Sequence, residues 1–268
     1  MEYPASNIIT IRVHDGGIAR LECHKSLPST TLLAKEYAKA GYPDRYVVFS
    51  ERLEYVSENA KHKPVLHKRD GLYLSCILRP PIYTSQAGLL AHLATVALIR
   101  ALEEHTTSEL GIGWISDIFC KGKKIGGVTL EGKVNNDFGF EYIIVNFAID
   151  LSDETFPPRL TDMIRKVFES ENTSVSMIIA KNVLDKFFSL FDDIKAPAKF
   201  MEFYNGRFIQ RNQKIKYSAN GKHRKGRILN VDTSNGSLIV EEKKNIFHLS
   251  SVGGVTIQNK FRRSGSIG

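Results

Sequence analysis

The segment that most constrains the fold is an apolar run at residues 88–102. Large apolar side chains recur in it near helical spacing, at Leu89, Leu93, Val96, Ala97 and Leu102. The run contains His92 and Arg100, and it is shorter than the roughly 20 apolar residues that a membrane-spanning helix needs. It is therefore predicted to be a buried core helix over residues 85–105, and the rest of the chain must supply the elements that cover it.

Strand and helix patterns alternate on both sides of that helix. Strands are predicted at residues 8–13, 19–24, 45–50 and 71–78 before it, and at 110–115, 125–131 and 142–149 after it. Ser29 and Thr30 open a helix that ends near Gly41, because a hydroxyl can cap the first turn and glycine accepts the left-handed backbone past the last one. Residues 175–191 predict an amphipathic helix. With 42% hydrophobic residues, these elements can bury a substantial core.

Residues 51–70 interrupt this alternation. They are polar and charged without a clear period, so they are predicted to form a long loop, and loops of that length are usually functional or mobile. The segment is basic, with Lys61, His62, Lys63, Lys68 and Arg69. A loop that meets an anion and a solvated charged loop are both open interpretations.

The last quarter of the chain has a different pattern, with short strands and tight turns. Strands are predicted at residues 226–231, 237–241, 245–249 and 254–258, and the Asn-Gly pairs at 220–221 and 235–236 are typical hairpin turns. This pattern predicts a small β-barrel. We therefore divide the chain into a first domain at residues 1–210, a second at 211–260 and a disordered tail at 261–268.

The charge divides in the same way. The whole chain has 37 Lys+Arg and 29 Asp+Glu, a net charge of +8. Residues 199–268 hold 14 basic and 4 acidic residues, a net +10, whereas residues 1–198 are slightly acidic at −2. A basic second module predicts acidic partners, either phosphate groups or an acidic protein.

The cysteine usage and the start of the chain bear on the compartment. Cys23, Cys76 and Cys120 are scattered, which favours free thiols in a reducing environment. The first residues show no signal-peptide pattern. We therefore expect a soluble, cytoplasmic protein with no membrane association.

Four short segments resemble a known family when they are taken in order. They are residues 29–31 (STT), 71–75 (GLYLS), 113–117 (GWISD) and 122–128 (GKKIGGV). Together with the barrel-like C-terminal pattern, they resemble the biotin protein ligases, within the wider group of biotin and lipoate ligases. The resemblance covers about residues 20–258, and it depends on the order and spacing of the segments more than on any one of them.

The resemblance implies a fold and a chemistry. The fold would be α/β (α+β), with a mixed-sheet catalytic domain followed by an SH3-like β-barrel. In the family's reaction, the biotin carboxylate attacks the α-phosphate of ATP, and a lysine of a biotin-carrier protein domain then takes the acyl group. Such an enzyme positions its reactants and stabilises developing negative charge. The implied ligands are ATP, Mg²⁺ and biotin, the implied partner is an acidic carrier domain, and a homodimer through a sheet edge is open.

The matched positions also assign roles to individual residues. By resemblance, Lys124 is a catalytic residue near the biotin carboxylate and the α-phosphate, and Asp117 is a catalytic residue near ATP and Mg²⁺. Ligand-binding roles fall on Ser29, Thr30, Lys63, Trp114, Gly126 and Gly127. Simpler structural roles compete with each of these, namely a turn lysine, a strand-end or helix cap, a core tryptophan and strand glycines. The sequence shows no His or Cys cluster with metal-ligand spacing.

Two departures from the family pattern concern the ligand pocket. The family's glycine- and arginine-rich loop aligns with residues 56–61 (VSENAK), which contain neither residue type. The family's Gly-x-Gly-Ile-Asn strand aligns with residues 146–150, so Asn146 and Ala148 stand where glycines are expected. We therefore predict a crowded pocket in which biotin adenylation is weak or lost.

Three alternatives are open. The first alternative is a non-catalytic homologue that binds a ligand or a partner. The second is a lipoyl or octanoyl transferase that forms a thioester on Cys120. The third alternative concerns nucleic acid. The residues before Ser29 read as strands rather than a helix-turn-helix, so no specific DNA binding is expected. Residues 222–225 with Arg227 leave non-specific phosphate contacts open.

Overall fold

A computed structural model describes residues 7–58, 64–150, 175–219, 222–250 and 256–258. The larger of its two sheets has eight strands in the order β1-β2-β3-β4-β8-β7-β6-β5. The strands are β1 Asn7–Arg12, β2 Ile18–His24, β3 Tyr46–Glu58, β4 Pro64–Leu78, β5 Leu110–Gly113, β6 Asp117–Cys120, β7 Lys123–Val134 and β8 Phe140–Asp150. Strands β2 and β3 are parallel and the other neighbours are antiparallel. The predicted mixed sheet in an α/β fold is therefore confirmed.

Helices cover the two faces of this sheet unequally. The helices are α1 Thr30–Lys39, α2 Ala87–Glu103, α3 Val175–Leu190 and α4 Ala198–Arg207. One face, here called the core face, packs against α2 and α3 and contributes Leu74, Val145 and Phe147 to the main hydrophobic core. The opposite face, here called the α1 face, packs against α1 alone among the described helices.

Helix α2 is the core helix that its apolar spacing predicted. Nearly all of its residues are buried. By length and composition the stretch Thr84–Glu103 could also cross a membrane, but 78% of its apolar window is buried inside the protein. The helix is therefore buried by the main core of this fold.

Helix α1 has the ends predicted for it. The Ser29 hydroxyl accepts a hydrogen bond from the backbone N–H of Leu32 at 3.2 Å, and Gly41 has a φ of +85°. The helix has 10 residues, which is about 15 Å at 1.5 Å per residue. It packs over Tyr46, Ile77 and Ile144 at one end of the α1 face. Because it is short, it leaves the other end of that face open.

The prediction of a long loop at residues 51–70 is wrong. Strands β3 and β4 extend into this segment and pair from Tyr46↔Ile77 to Glu58↔Pro64. Polar side chains face each other across the pair, since Arg52 lies 2.5 Å from Asp70. Residues 59–63, between the two strands, lie outside the described residues. The many charged residues of this segment resemble the composition of a loop. The alternation of Leu53 and Tyr55 with charged residues is the strand pattern that the prediction missed.

The C-terminal region forms a second, smaller sheet. Its strands are β9 Lys214–Ala219, β10 Lys222–Val231, β11 Leu238–Glu242, β12 Asn245–Leu249 and β13 Thr256–Gln258. They form an antiparallel sheet in the order β12-β11-β10-β9-β13, and the described strands do not close into a barrel. Ile215, Tyr217 and Ile228 belong to the same buried cluster as the large sheet, so the two sheets pack together. The predicted tail at residues 261–268 lies outside the described residues.

Candidate functional site

A cavity of about 460 Å³ opens on the α1 face, at the end that α1 leaves uncovered. Its walls come from β3, β4, β6, β7 and β8. Tyr55 and Tyr73 supply aromatic surface, and Asp117, Lys124 and Arg69 supply charge. Pockets that combine apolar walls with a few converging polar groups are the usual sites of small ligands.

Lys124 and Asp117 meet at this cavity, and a bulge in β7 brings them together. Ile118 pairs with Gly126 and Phe119 pairs with Lys124, so Ile125 is an extra residue on β7. The bulge turns Lys124 onto the α1 face, where Nζ lies 2.6 Å from the Asp117 carboxylate. Both side chains are partly exposed, at 55% for Lys124 and 43% for Asp117. The pair is therefore open to solvent and can exchange its partner for a ligand.

Arg69 is the third charged residue of the cavity. It projects from β4, and its guanidinium lies 5.7 Å from the centre of the Tyr55 ring. Two cations and one carboxylate thus surround the opening, which favours an anionic ligand. The sequence marked Arg69 only as part of a basic loop. Arg69 lies in the cavity wall because β3 and β4 pair along this segment, and the prediction of a loop at residues 51–70 missed that pairing.

Asn146 and Ala148, which stand at expected glycine positions, both line the cavity. Asn146 is 7% exposed, and its Oδ1 accepts a hydrogen bond from the Thr31 hydroxyl at 3.0 Å. Its Nδ2 lies 3.4 Å from Thr129 Oγ1 on β7. The side chain therefore bridges the first turn of α1 to the sheet and closes the end of the cavity next to the helix.

Ser29 and Thr30 lie on the helix side of this bridge. Ser29 caps α1, and the Thr30 hydroxyl accepts a hydrogen bond from the buried Ser75 hydroxyl at 2.9 Å. Neither residue is among those that line the cavity. Ser75 lies opposite Asn146 in the β4–β8 register, and Asn146 lines the cavity whereas Ser75 is not among its described lining residues.

Gly126 and Gly127 line the cavity, and strand packing also requires both residues to be glycine. A Cβ on Gly126 would collide with the Ala148 carbonyl, and a Cβ on Gly127 would lie 2.6 Å from the Ser116 carbonyl. The bare backbone at these positions lets β6, β7 and β8 approach closely. A structural role thus accounts for both glycines, whether or not a ligand contacts them.

Trp114 lies where the two sheets meet. Its Nε1 donates to the Gly236 carbonyl at 3.4 Å, and its backbone N–H donates to Gln210 Oε1 at 2.8 Å. It packs partly buried against the main core and is not among the residues that line the cavity. Lys63, the remaining residue with a predicted ligand-binding role, lies outside the described residues.

Cys120 is a core thiol. It is fully buried in β6 as part of the main hydrophobic core, on the face away from Asp117. Burial raises the pKa of this thiol, which disfavours the nucleophilic thiolate. The structure thus gives no support to a thioester on Cys120.

The charged groups of the cavity do not form a resident metal site. Asp117 is the one carboxylate among the described residues that line the cavity, and Lys124 already pairs with it. The part of the chain that the structure describes contains no group of three His, Cys, Asp or Glu side chains that could hold a metal ion. Mg²⁺ is usually held by one or two carboxylates together with substrate phosphates and water, so Asp117 would hold it only when a nucleotide supplies the other ligands.

Comparison with curated sequences identifies relatives, although no family model matches the chain. The bifunctional ligase/repressor BirA of Bacillus subtilis (strain 168) is 26% identical over 156 residues, and that of Bacillus spizizenii is 25% identical over 153 residues. The matches cover 57% and 56% of this chain. The chain spans about half the length of these relatives, at 47% and 46%.

Comparison with solved structures concerns the fold. The biotin protein ligase of Aquifex aeolicus in complex with biotin and ATP has a TM-score of 0.64 at 16% identity, over 89% of this chain and 98% of that one. A biotin protein ligase-like protein of unknown function from Silicibacter sp. TM1040 also has a TM-score of 0.64, at 13% identity, over 87% and 95% of the two chains. The chain is therefore related in sequence to the bifunctional ligase/repressors named BirA and has the fold of the biotin protein ligases.

Proposed function

We propose that this chain is a divergent biotin protein ligase homologue that keeps a cavity for an anionic ligand but adenylates biotin weakly or not at all. The observation that carries the proposal is the Asn146 bridge beside the Lys124–Asp117 pair. The pair retains charged groups suited to a carboxylate or a phosphate. The bridge fills the end of the same cavity that the family's glycines would leave open.

The retained charges account for binding. Lys124 and Arg69 place two cations at the cavity, and a lysine near a reacting carboxylate and phosphate can neutralise charge that develops between them. The curated relatives are named as ligases, and the Aquifex aeolicus neighbour was solved with biotin and ATP. In family terms, the ligand class is therefore a carboxylic acid and its adenylate.

The Asn146 side chain at the end of the cavity next to α1 accounts for the proposed weak adenylation of biotin. Asn146 makes hydrogen bonds to both Thr31 and Thr129, so moving it aside would break both contacts. A typical hydrogen bond contributes about 0.5–1.5 kcal/mol to stability. Biotin binding would have to overcome that cost, and a ligand that does not reach Asn146 would avoid it.

Biotin-dependent exchange of pyrophosphate into ATP tests the proposal directly. We expect little exchange from the unmodified protein, and robust exchange would refute weak adenylation. Calorimetry with biotin, ATP and biotinyl-adenylate then separates lost binding from lost chemistry. If none of the three ligands binds, the cavity has no ligase-type role and the proposal fails.

The variant Asn146→Gly tests the bridge. Removing the side chain should extend the cavity towards Ser75 and strengthen biotin binding. The matched control is Thr31→Val, which removes the hydrogen bond to Asn146 without making space. If both variants change biotin affinity equally, the bridge does not restrict the cavity by its size.

A non-catalytic binding protein is the second candidate function. The same bridge favours it, because a cavity that is closed next to α1 can hold a ligand without presenting biotin for adenylation. Binding of biotinyl-adenylate without pyrophosphate exchange would support this alternative over a weak ligase.

The family relationship also extends the proposal to the C-terminal region and to the protein partner. We propose a division near residue 210, between α4 and β9, with an SH3-like second domain at residues 211–260. An acidic biotin-carrier domain is the proposed protein partner. Transfer of biotin to a purified carrier domain would be measured by mass spectrometry, and absence of transfer would remove this part of the proposal.

A further inference from the structure

The outer face of the C-terminal sheet carries a dense group of cations. They are Lys214 and Lys216 on β9, Lys225 and Arg227 on β10, and Lys243 in the turn after β11, and they are here called the basic face. All five side chains are exposed. A groove of about 500 Å³ lies along this face. A larger one of about 920 Å³ also reaches the opposite side of β9 and β10, where Tyr217 and Arg224 lie, and Lys216, Lys225 and Lys243 line both grooves.

The strand register places like charges directly opposite each other. Lys214 pairs with Arg227 and Lys216 pairs with Lys225 across β9 and β10. Directly opposed side chains have Cβ atoms about 4.5–5.5 Å apart, and like charges at that spacing are destabilising. The sheet thus holds a repulsive arrangement that an anionic ligand would relieve.

The neighbouring carboxylates are already engaged. Glu241 lies 2.6 Å from Arg227, and Glu242 bonds with Arg224 at 3.3 Å and with the Tyr217 hydroxyl. Among the described residues, these are the two carboxylates that line the grooves. In the described part of the chain, the four lysines of the basic face are left without a carboxylate partner.

We propose that the basic face binds the phosphate backbone of double-stranded nucleic acid without reading its sequence. Each strand of a duplex presents one charge per about 3.4 Å of helix axis, whatever its sequence. Alternate residues of a β-strand are about 6.8 Å apart, so β9 and β10 counted together place about one cation per 3.4 Å along the strands. An acidic protein surface mixes charges of both signs, and a group of four lysines without carboxylate partners suits it less well.

The aromatic residues of the grooves favour a duplex over a single strand. Single-strand binding relies on exposed rings on which bases stack. Here Tyr217 is buried, and the guanidinium of Arg224 lies over the Phe247 ring at 5.2 Å. Among the described residues that line the grooves, neither the tyrosine nor the phenylalanine is free to stack on a base, and the exposed ring is the imidazole of His223.

Fluorescence anisotropy with a labelled 20-base-pair DNA duplex tests this proposal. Two unrelated sequences should bind the full chain equally. If four lysines contact phosphates, affinity should fall about 100-fold between 50 and 200 mM salt. The variant Lys216→Gln with Lys225→Gln should weaken binding of both duplexes and reduce the salt dependence by roughly half.

The matched control is Lys39→Gln with Lys199→Gln, which removes the same charge from exposed sites outside the basic face. This control should keep the affinity of the unmodified protein. Equal loss in both double variants would overturn the proposal, since it would show that only net charge matters. Tighter binding of single-stranded DNA, or equally effective competition by polyglutamate, would also overturn it. Thermal unfolding should show no loss of stability in the Lys216/Lys225 variant, because the substitution removes a repulsion.

Discussion

The two faces of the large sheet are formed by the same strands but are stabilised by different contacts. In β8, Phe147 points into the main core and packs edge-on against Phe187 of α3, with ring centres 5.6 Å apart. Its neighbour Asn146 points to the α1 face and bridges Thr31 to Thr129. The core face is held by apolar packing, whereas the end of the α1 face beyond α1 is held by polar contacts around a cavity.

The difference shows where this fold can change its function without losing its stability. Two long helices cover the core face, and its side chains fill the space between the layers. Among the described helices, one short helix covers part of the α1 face, so the end of that face beyond α1 can change residues at little structural cost. The positions that depart from the family pattern, Asn146 and Ala148, lie on this second face.

The largest expected effect comes from the core face. Replacing Phe147 with Ala should lower the free energy of unfolding by about 3–5 kcal/mol, because it removes a fully buried ring and leaves a cavity. The control is Ala148→Gly, the next residue on the opposite face, which should cost about 1 kcal/mol or less. Urea unfolding measures both. Equal losses would show that the two faces do not differ in this way.

A buried histidine on the core side should also make the free energy of unfolding depend strongly on pH. His92 of α2 is fully buried and stacks on Tyr204, with ring centres 4.5 Å apart. Burial lowers the pKa of His92 from 6.5 to about 4, since it disfavours the imidazolium. Between about pH 6.5 and 4 the unfolded chain therefore binds a proton that the folded chain does not. The free energy of unfolding should fall by about 3 kcal/mol as the pH falls through that window.

The variant His92→Phe isolates this contribution, since it keeps an aromatic ring against Tyr204 and cannot titrate. Its free energy of unfolding should fall less between pH 7 and 4.5 than that of the unmodified protein. Urea unfolding at several pH values gives the difference. Parallel curves for the two proteins would mean that His92 takes up its proton in the folded state as easily as in the unfolded one.

The sequence predicted the core side better than the cavity, for a physical reason. Burial leaves a periodic apolar pattern, and the run at residues 88–102 predicted α2 correctly. The cavity has no such pattern, because its walls come from five strands that the sheet brings together. Lys124 and Asp117 were found through a family resemblance. The bulge at Ile125 that puts them on one face could not be read from their spacing.

The cap of α1 gives an intermediate effect and separates two interpretations of Ser29. If Ser29 acts only as a cap, Ser29→Ala should cost about 1 kcal/mol of stability and leave ligand affinity unchanged. The variant Ser29→Asn should restore stability, because asparagine caps equally well. Thermal unfolding and calorimetry with biotin provide the two measurements. A loss of biotin affinity in both variants would instead assign Ser29 to the ligand.

The smallest effect on stability, with a clear effect on binding, is expected at Lys124. The Lys124–Asp117 pair is exposed to solvent, so Lys124→Gln should change the free energy of unfolding by no more than about 0.5 kcal/mol. A hydrogen bond to a charged group is worth about 1.5–3 kcal/mol, so the same variant should weaken binding of biotinyl-adenylate by about tenfold or more. Lys123→Gln, one residue earlier on the same strand and equally exposed, is the control and should leave binding unchanged. If the two variants bind the adenylate alike, the cavity does not use Lys124, and the α1 face is then polar without serving an anionic ligand.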